Sequence, residues 1–176
     1  MRDDDPNQNT WDTTALRLFL AAEIERARLC QLPLALALIE PEPAVSLEMV
    51  LGQALEQKRS FDHASVHAEV RVALVLSVTP LAAGERMVGA ILRRIRQLSE
   101  GGAICSAGLV GYGGCADLSP EQLLTRAEEA LAAARSLGGN RLEVAPSADL
   151  ELASRETLVH ASEKHFLFTG KRMPEK

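Results

Sequence analysis

The sequence is poor in aromatic residues and contains no segment that would carry it across a membrane. Aromatics make up 3% of its 176 residues, so the core has to be built from leucine, valine, alanine and isoleucine, which suits helices packed on a sheet. No apolar run reaches the roughly 18 residues that a bilayer requires. Residues 1–9 are polar and acidic, unlike a signal peptide. We therefore predict a cytoplasmic protein without membrane insertion.

Cysteines are few, and basic residues are outnumbered by acidic ones. The three cysteines, Cys30, Cys105 and Cys115, are odd in number and far apart. They form neither a zinc-binding pattern nor a disulfide framework, which favours a reducing compartment. The net charge of -5 argues against a DNA-binding surface, which needs a basic face. The sequence thus predicts no metal, no cofactor and no DNA partner.

Helical and strand patterns alternate across one domain-sized stretch. Residues 1–11 are predicted to be a disordered tail, 12–146 a single folded domain, and 147–176 a polar C-terminal tail that can form a helix. Within the domain, apolar periodicity predicts helix, strand, helix, hairpin, helix, strand, helix and strand. Their ranges are 12–30, 34–39, 45–57, 62–78, 81–98, 103–110, 119–137 and 141–144. Five strands with intervening helices predict an α/β protein, an α+β sandwich in which helices cover a central sheet.

Several local motifs, taken in order, resemble the bacterial GGDEF (diguanylate cyclase) family. The segment Leu32–Glu42 is similar to the family's first strand, which ends in Asp-x-Asp, and Ser106–Gly108 resembles the Ser-x-Gly of its fourth strand. Residues 123–131 and 138–141 resemble the family's L-L-x-x-A-D-x-A-L and G-x-N-R. The resemblance covers 12–146. It implies a bacterial signalling domain with the nucleotide-cyclase-like fold, a five-stranded, mostly antiparallel sheet covered by helices.

The catalytic signature of that family is not retained. The alignment places residues 68–72, Ala-Glu-Val-Arg-Val, where the family has G-G-D/E-E-F, so Val70 stands at the metal-binding acidic position with Arg71 beside it. Magnesium needs carboxylate oxygens, and phosphoryl transfer depends on that metal and on positioning. Glu40 and Glu42 replace the two aspartates, but the family's segment that holds guanine and phosphates is missing. We therefore expect a degenerate domain that is not an enzyme and has no catalytic residues.

A second motif of the family is matched in register. Active cyclases often carry a product-inhibition site, R-x-x-D, whose aspartate lies five residues before the signature, and Arg59 and Asp62 occupy these positions. On the surface, the arginine would donate to O6 and N7 of guanine, and the carboxylate would accept from N1 and N2. The aligned third residue is Ala90, so Arg86, one turn earlier on the same helix, is the candidate substitute. The alternative is a solvated ion pair without a ligand.

Two functions follow from this resemblance. The first is a receptor for cyclic di-GMP, with Arg59, Asp62 and Arg86 as its ligand-binding residues. The second is a regulatory module that binds a partner protein, whose identity the sequence does not give, and binds no nucleotide. GGDEF domains often work as dimers, so the resemblance also implies a homodimer.

Other candidate residues have simpler explanations. His63 and His67 lie four apart on a strand, about 13 Å from one another, and cannot chelate one metal on their own. The apolar run Phe166–Phe168 in the C-terminal tail is predicted to dock on the domain itself or on another protein, and both alternatives stay open. One helix is predicted to carry a solvated basic face, which consists of Arg86, Arg93, Arg94 and Arg96.

Overall fold

The computed structural model describes residues 13–99 and 105–147, which form four helices and five strands. In chain order these are α1 (Thr13–Cys30), β1 (Leu34–Pro41), α2 (Leu47–Gln57), β2 (His63–His67), β3 (Arg71–Leu76), α3 (Leu81–Leu98), β4 (Cys105–Tyr112), α4 (Pro120–Ser136) and β5 (Leu142–Val144). The predicted tail over 1–11 and nearly all of the tail over 147–176 lie outside the described residues. No helix within the described ranges combines the length and apolar character needed to span a bilayer.

The five strands form one open sheet in the order β2-β3-β1-β4-β5. The central strand β1 pairs antiparallel with both β3 and β4, and β2 pairs antiparallel with β3. The β4–β5 pair is parallel. The predicted fold class, a five-stranded and mostly antiparallel sheet covered by helices, is therefore confirmed.

Both faces of the sheet are buried, which explains the continuous apolar run of β1. One face packs against α2 and α3, and the other packs against α1 and α4. Successive residues of a strand point to opposite faces. Accordingly, β1 contributes Ala35, Ala37 and Ile39 to the first face and Leu34, Leu36 and Leu38 to the second. Each fully buried leucine or isoleucine contributes about 1.5–3 kcal/mol, so the central strand anchors both layers.

Capping residues decide where two helices begin. The Ser46 hydroxyl accepts a hydrogen bond from the Met49 backbone at 3.2 Å, so α2 starts two residues later than the periodicity predicts. The predicted start of α4 is confirmed by a capping box, in which Ser119 and Gln122 each accept from the other's backbone N–H, at 3.2 and 2.8 Å. Strand β1 continues through Pro41, beyond its predicted end, because a proline is tolerated at a strand terminus.

The glycine of the Ser-x-Gly motif has a packing role. Helix α4 crosses β4 so closely that a Cβ on Gly108 would overlap the carbonyl oxygen of Ala127 and the backbone nitrogen of Leu131. Only a residue without a side chain allows this approach. Gly108 therefore fixes the height of α4 above the sheet, and with it the position of Glu128 in the site described below.

Candidate functional site

The candidate residues lie at the two ends of the hairpin formed by β2 and β3. These strands pair from His63 with Val75 to His67 with Arg71, and the turn over residues 68–70 joins them. The predicted hairpin is therefore confirmed.

The turn has a backbone that favours glycine although it contains none. Ala68 and Glu69 have φ values of 51° and 62°, in the left-handed region, where a residue with a side chain loses about 1 kcal/mol. These are the two positions aligned with the paired glycines of the GGDEF signature. The backbone geometry thus supports the register of that alignment.

Beside the turn, one glutamate is held by two arginines. Glu40, at the end of β1, accepts from Arg71 Nε at 2.7 Å and lies 3.1 Å from Arg135 Nη1 of α4. Arg71 Nη1 also lies 3.6 Å from Glu128 Oε1. We call Glu40, Arg71, Glu128, Arg135 and the neighbouring His67 the hairpin-turn cluster. Glu40 is 19% exposed and Arg71 is 23% exposed, so this pair is screened less than a surface ion pair.

His67 closes the cluster at the edge of the sheet. Its Nε2 is 3.9 Å from Glu128 Oε1, and its buried Nδ1 has no hydrogen-bond partner in the described ranges. Burial lowers the pKa of His67, as do the positive charges of Arg71 and Arg17, while Glu128 acts in the opposite direction. Burial, aided by Lys58, likewise lowers the pKa of His63. The imidazoles are therefore stabilised in their neutral form.

The hairpin-turn cluster does not fit a magnesium ion. Each oxygen of Glu40 already faces a guanidinium, and Glu42, the second candidate ligand, is exposed. Magnesium requires several oxygen ligands in octahedral geometry. Among the described residues there is no group of three or more His, Cys, Asp or Glu side chains that could hold a metal. The two guanidinium groups beside Glu40 would repel a divalent cation.

At the opposite end of the hairpin, Asp62 is buried, and the expectation that it lies on the surface is wrong. Its side chain is 0% exposed. Oδ2 accepts from the backbone N–H and from Nε of Arg59, both at 2.9 Å, and Oδ1 accepts from Arg59 Nη2 at 2.9 Å and from the Ser77 N–H at 3.2 Å. Four donors compensate the burial of the carboxylate. They also join the end of α2 to the end of β3.

Arg59 is the exposed half of this pair. Its side chain is 38% exposed, and Nη2 also donates to the Ser77 carbonyl at 3.0 Å and to the Thr79 hydroxyl. The guanidinium carbon stands 4.5 Å from the centre of the Phe61 ring, within cation–π range. The hydrogen bond to Asp62 raises the pKa of Arg59. We call Arg59, Phe61, Asp62, Ser77 and Thr79 the Arg59 corner.

One edge of the Arg59 guanidinium stays available. Nε and Nη2 are engaged, whereas Nη1 makes no hydrogen bond within residues 13–99 and 105–147. Beside it, Phe61 is 51% exposed. A planar ring or an anion could therefore meet a fixed cation flanked by an aromatic face.

The predicted third residue is not in contact with this pair. Arg86 is exposed on α3 and makes no hydrogen bond or ion pair with any residue that the structure describes. Arg93 and Arg94 are exposed on the same helix, and Arg96 donates to the Asn140 side-chain oxygen at 2.6 Å. The prediction that α3 carries a solvated basic face is confirmed for the first three arginines.

Sequence reasoning missed several members of both groups. Ser77 and Thr79 act through a backbone amide, a carbonyl and a hydroxyl, and no motif marks them. Glu128 and Arg135 lie two turns apart on α4, where the sequence gives them no feature that distinguishes them from other exposed charges. The register of the sheet, which pairs His67 with Arg71 and Ile39 with Val72, brings the strand members of the hairpin-turn cluster together. It does not reach Glu128 and Arg135 on α4, for which the sequence holds no signal.

The cysteines do not contribute to either group. Cys105 is buried in β4, and burial raises its pKa to about 11, so its thiol stays protonated and acts as a small core residue. Cys30 and Cys115 are exposed.

The fold is that of GGDEF domains in solved structures, although the sequence matches no protein-family model and no curated protein. The GGDEF domain of TpbB (YfiN) from Pseudomonas aeruginosa is 17% identical with a TM-score of 0.69, covering 85% of this chain and 98% of that one. The GGDEF domain of DgcB from Caulobacter crescentus, in complex with c-di-GMP, is 16% identical with a TM-score of 0.66, covering 82% and 97%. The diguanylate cyclase SiaD of Pseudomonas aeruginosa, in complex with its activator SiaC, is 18% identical with a TM-score of 0.63, covering 80% and 61%. The resemblance drawn from the sequence motifs is confirmed at the level of the fold.

Proposed function

We propose that this chain is a catalytically inactive GGDEF-like signalling domain that serves as a receptor for cyclic di-GMP. The loss of catalysis is inferred from one observation, the capture of Glu40 by Arg71 and Arg135. A guanidinium fixed beside this carboxylate repels a divalent cation, and no acidic side chain stands at position 70. Without the metal, the charge on the transferred phosphoryl group has no counterpart.

The inactivity is tested by incubating the protein with GTP and either magnesium or manganese. We expect no cyclic di-GMP above the level of a protein-free control. Measurable product would contradict the assignment of Val70 and Arg71 to the signature positions. The double variant Val70→Asp/Arg71→Glu restores acidic residues at the two signature positions. If this variant also forms no cyclic di-GMP, the missing nucleotide-binding segment contributes to the loss of activity.

The receptor proposal depends on Arg59, whose guanidinium is held in place while Nη1 and the Phe61 face remain accessible. Asp62 cannot accept from guanine N1 and N2 as the sequence suggested, since its four acceptor directions are used inside the fold. We therefore assign Asp62 a positioning role. Arg59 would donate from Nη1 to guanine O6 or N7 or to a phosphate oxygen, and Phe61 would stack on the base. Arg86 is assigned to the phosphates of the same ligand.

Isothermal titration calorimetry with cyclic di-GMP tests this site. We expect binding in the micromolar range or tighter. Arg59→Ala should abolish cyclic di-GMP binding. Arg59→Lys keeps the charge but lacks the planar guanidinium with its several N–H donors, so it should weaken binding at least about tenfold. Arg86→Ala should weaken binding, whereas the matched variant Arg93→Ala, two turns further along α3, should not. The circular dichroism spectrum of each variant controls for folding. A folded wild-type protein that gives no heat at high ligand concentration would refute the receptor function.

A protein-binding module is the second candidate, favoured by the exposed arginines on α3. Arg86, Arg93 and Arg94 make no ion pair within the described residues, in a chain of net charge -5, so they suit an acidic partner surface. If calorimetry finds no cyclic di-GMP binding, a charge-reversed triple variant of these arginines should lose a partner that the wild type retains at low salt.

A further inference from the structure

The loop after β3 contains a residue whose backbone does not suit its side chain. Val78 has a φ of 50°, in the left-handed region, where β-branched residues are rarely found because the side chain collides with the backbone. Val78 is also exposed, so deep burial of the valine does not explain this conformation. It lies between Ser77 and Thr79, the two members of the Arg59 corner that follow β3.

Both neighbours of this valine are anchored to other parts of the fold. Ser77 donates its N–H to Asp62 at 3.2 Å and its hydroxyl to Glu23 of α1 at 2.6 Å. Thr79, which is buried, donates its N–H to the carbonyl of Pro33 at 2.9 Å. A strained conformation persists only where the surrounding structure holds it. Here contacts with three separate segments hold the chain on both sides of the valine.

The left-handed turn brings two acceptors onto one nitrogen of Arg59. In an extended strand, residues i and i+2 are about 6.6 Å apart, and a side chain stands roughly perpendicular to the sheet. Here the Thr79 hydroxyl instead donates to the Ser77 carbonyl at 2.8 Å. Arg59 Nη2 donates to both of these oxygens and to Asp62 Oδ1. Nη2 therefore has three acceptors, whereas Nη1 has none within the described residues.

We propose that Val78 is a positioning residue of the Arg59 corner, whose left-handed backbone sets which guanidinium nitrogen a ligand meets. It acts through Ser77 and Thr79, not through its own side chain. For cyclic di-GMP as the ligand, this inference rests on the function proposed above, but the effect on Arg59 does not. A residue that adopts the same φ should preserve the corner, and a residue that cannot adopt it should disrupt the corner. Glycine adopts positive φ freely, whereas proline is confined to a φ near about −65°.

Rotation of the Arg59 guanidinium in the full chain tests the positioning role. Nuclear magnetic resonance of ¹⁵N at low temperature measures the rate at which Nη1 and Nη2 exchange places, and the spectrum of Arg59→Lys assigns the signals. We expect separate, slowly exchanging signals in the wild type and in Val78→Gly. Exchange in Val78→Pro should be at least about tenfold faster, because Nη2 loses two acceptors. A folded proline variant that exchanges as slowly as the wild type would overturn the proposal.

A second variant keeps the test decisive if circular dichroism shows that Val78→Pro does not fold. Thr79→Val leaves the backbone of the loop in place and removes only the hydroxyl that accepts from Arg59. We expect exchange of the Nη signals to be at least about fivefold faster than in the wild type. An unchanged rate would show that the turn at Val78 does not hold Nη2.

The strain at Val78 is tested by comparing Val78→Gly with Val78→Ala in chemical denaturation. Both substitutions remove the branched side chain, but only glycine adopts the left-handed region without steric cost. The ratio of folded to unfolded protein should therefore be about fivefold or more higher for glycine than for alanine. An alanine variant at least as stable as the glycine variant would contradict the left-handed conformation.

Calorimetry with cyclic di-GMP separates this inference from the receptor function. We expect Val78→Gly to bind as tightly as the wild type and Val78→Pro, or Thr79→Val in its place, to bind more weakly. If the folded wild type binds no cyclic di-GMP, the receptor function is refuted, and guanidinium rotation and stability still decide the role of Val78. Wild-type affinity in a variant with fast guanidinium rotation would refute the link between this turn and the ligand.

Discussion

At each end of the β2–β3 hairpin an acidic side chain contacts arginine. The two ends differ in how deeply the acid is buried and in which groups donate to it. At the Arg59 corner one carboxylate, fully buried, takes four hydrogen bonds, two of them from backbone amides. In the hairpin-turn cluster the carboxylate of Glu40 is partly exposed and is shared by two arginines from different elements. The first end ties the backbone together, whereas the second neutralises charge between side chains.

The same kind of acid–arginine contact therefore serves two different purposes within one fold. Asp62 is a structural carboxylate that also orients the Arg59 guanidinium, so its loss would damage stability and the proposed ligand site together. Glu40 instead accepts from Arg71 and faces Arg135, so that it joins β1, β3 and α4 through side chains. The sign of a residue's charge is therefore a poor guide to its role without the neighbours.

The largest expected effect of breaking either end comes from Asp62→Ala. This change removes a buried ion pair and leaves the N–H groups of Arg59 and Ser77 without an acceptor, so the free energy of unfolding should fall by about 3 kcal/mol or more. Chemical denaturation followed by circular dichroism measures it. Asp62→Asn keeps an acceptor at one position and should lose less. A loss under about 1 kcal/mol for the alanine variant would show that the corner is not structural.

At the other end, Arg71→Ala should cost less, about 1–2 kcal/mol, because Glu40 is partly exposed and keeps Arg135 as a partner. Arg135→Ala is the matched control from the same cluster. Arg135 is 57% exposed, and a surface pair of this kind contributes about 0–1 kcal/mol. The same denaturation assay compares the two variants. If removing Arg135 proved more harmful than removing Arg71, the assignment of Arg71 as the central cation would be wrong.

Most of the fold could be predicted because its signals are local. The continuous apolar run of β1 and the amphipathic pattern of α3 mark their elements directly, and the Ser119–Gln122 capping box fixes the start of α4. Apolar periodicity predicts the start of α2 two residues too early, because it does not reveal that Ser46 is a cap. The strand order depends on contacts between distant residues, which no local pattern contains, and the family resemblance implied only a five-stranded, mostly antiparallel sheet.

The candidate sites were only half predictable. A spaced motif marks Arg59 and Asp62, but it does not show that Asp62 is buried, because that burial depends on the Ser77 amide fifteen residues away. Arg71 was recognised as misplaced for a metal site. Its partners Glu128 and Arg135 could not be found, since the approach of α4 is set by the absent side chain of Gly108.

The hairpin should also respond to pH through His63 and His67. Burial lowers the pKa of both histidines in the folded protein. Below the ordinary pKa of about 6.5, these histidines therefore bind protons more strongly in the unfolded chain than in the folded one. Stability is therefore full above that pH and falls as the pH drops from it toward the lowered values. We expect a lower denaturation midpoint at pH 5.5 than at pH 7.5, with a smaller effect than that of Asp62→Ala.

A matched pair of double variants isolates this pH effect. His63→Gln/His67→Gln should flatten the pH dependence between pH 7.5 and 5.5. His160→Gln/His165→Gln, which changes the two histidines of the C-terminal tail, should leave it as in the wild type. If the tail variant flattened the curve instead, the titration would not belong to the hairpin.

The smallest expected effect concerns the turn itself and runs in the favourable direction. Ala68 and Glu69 hold positive φ values of 51° and 62°, and glycine adopts this region without steric cost, so each substitution to glycine should raise the free energy of unfolding by about 0.5–1 kcal/mol. Denaturant titration of Ala68→Gly, Glu69→Gly and the double variant measures the gain. Ala90→Gly, within α3, is the control and should lose about 1 kcal/mol. A gain at the turn would show that this backbone carries strain which the glycines of the GGDEF signature avoid, whereas a loss of the size seen at Ala90 would rule out that explanation.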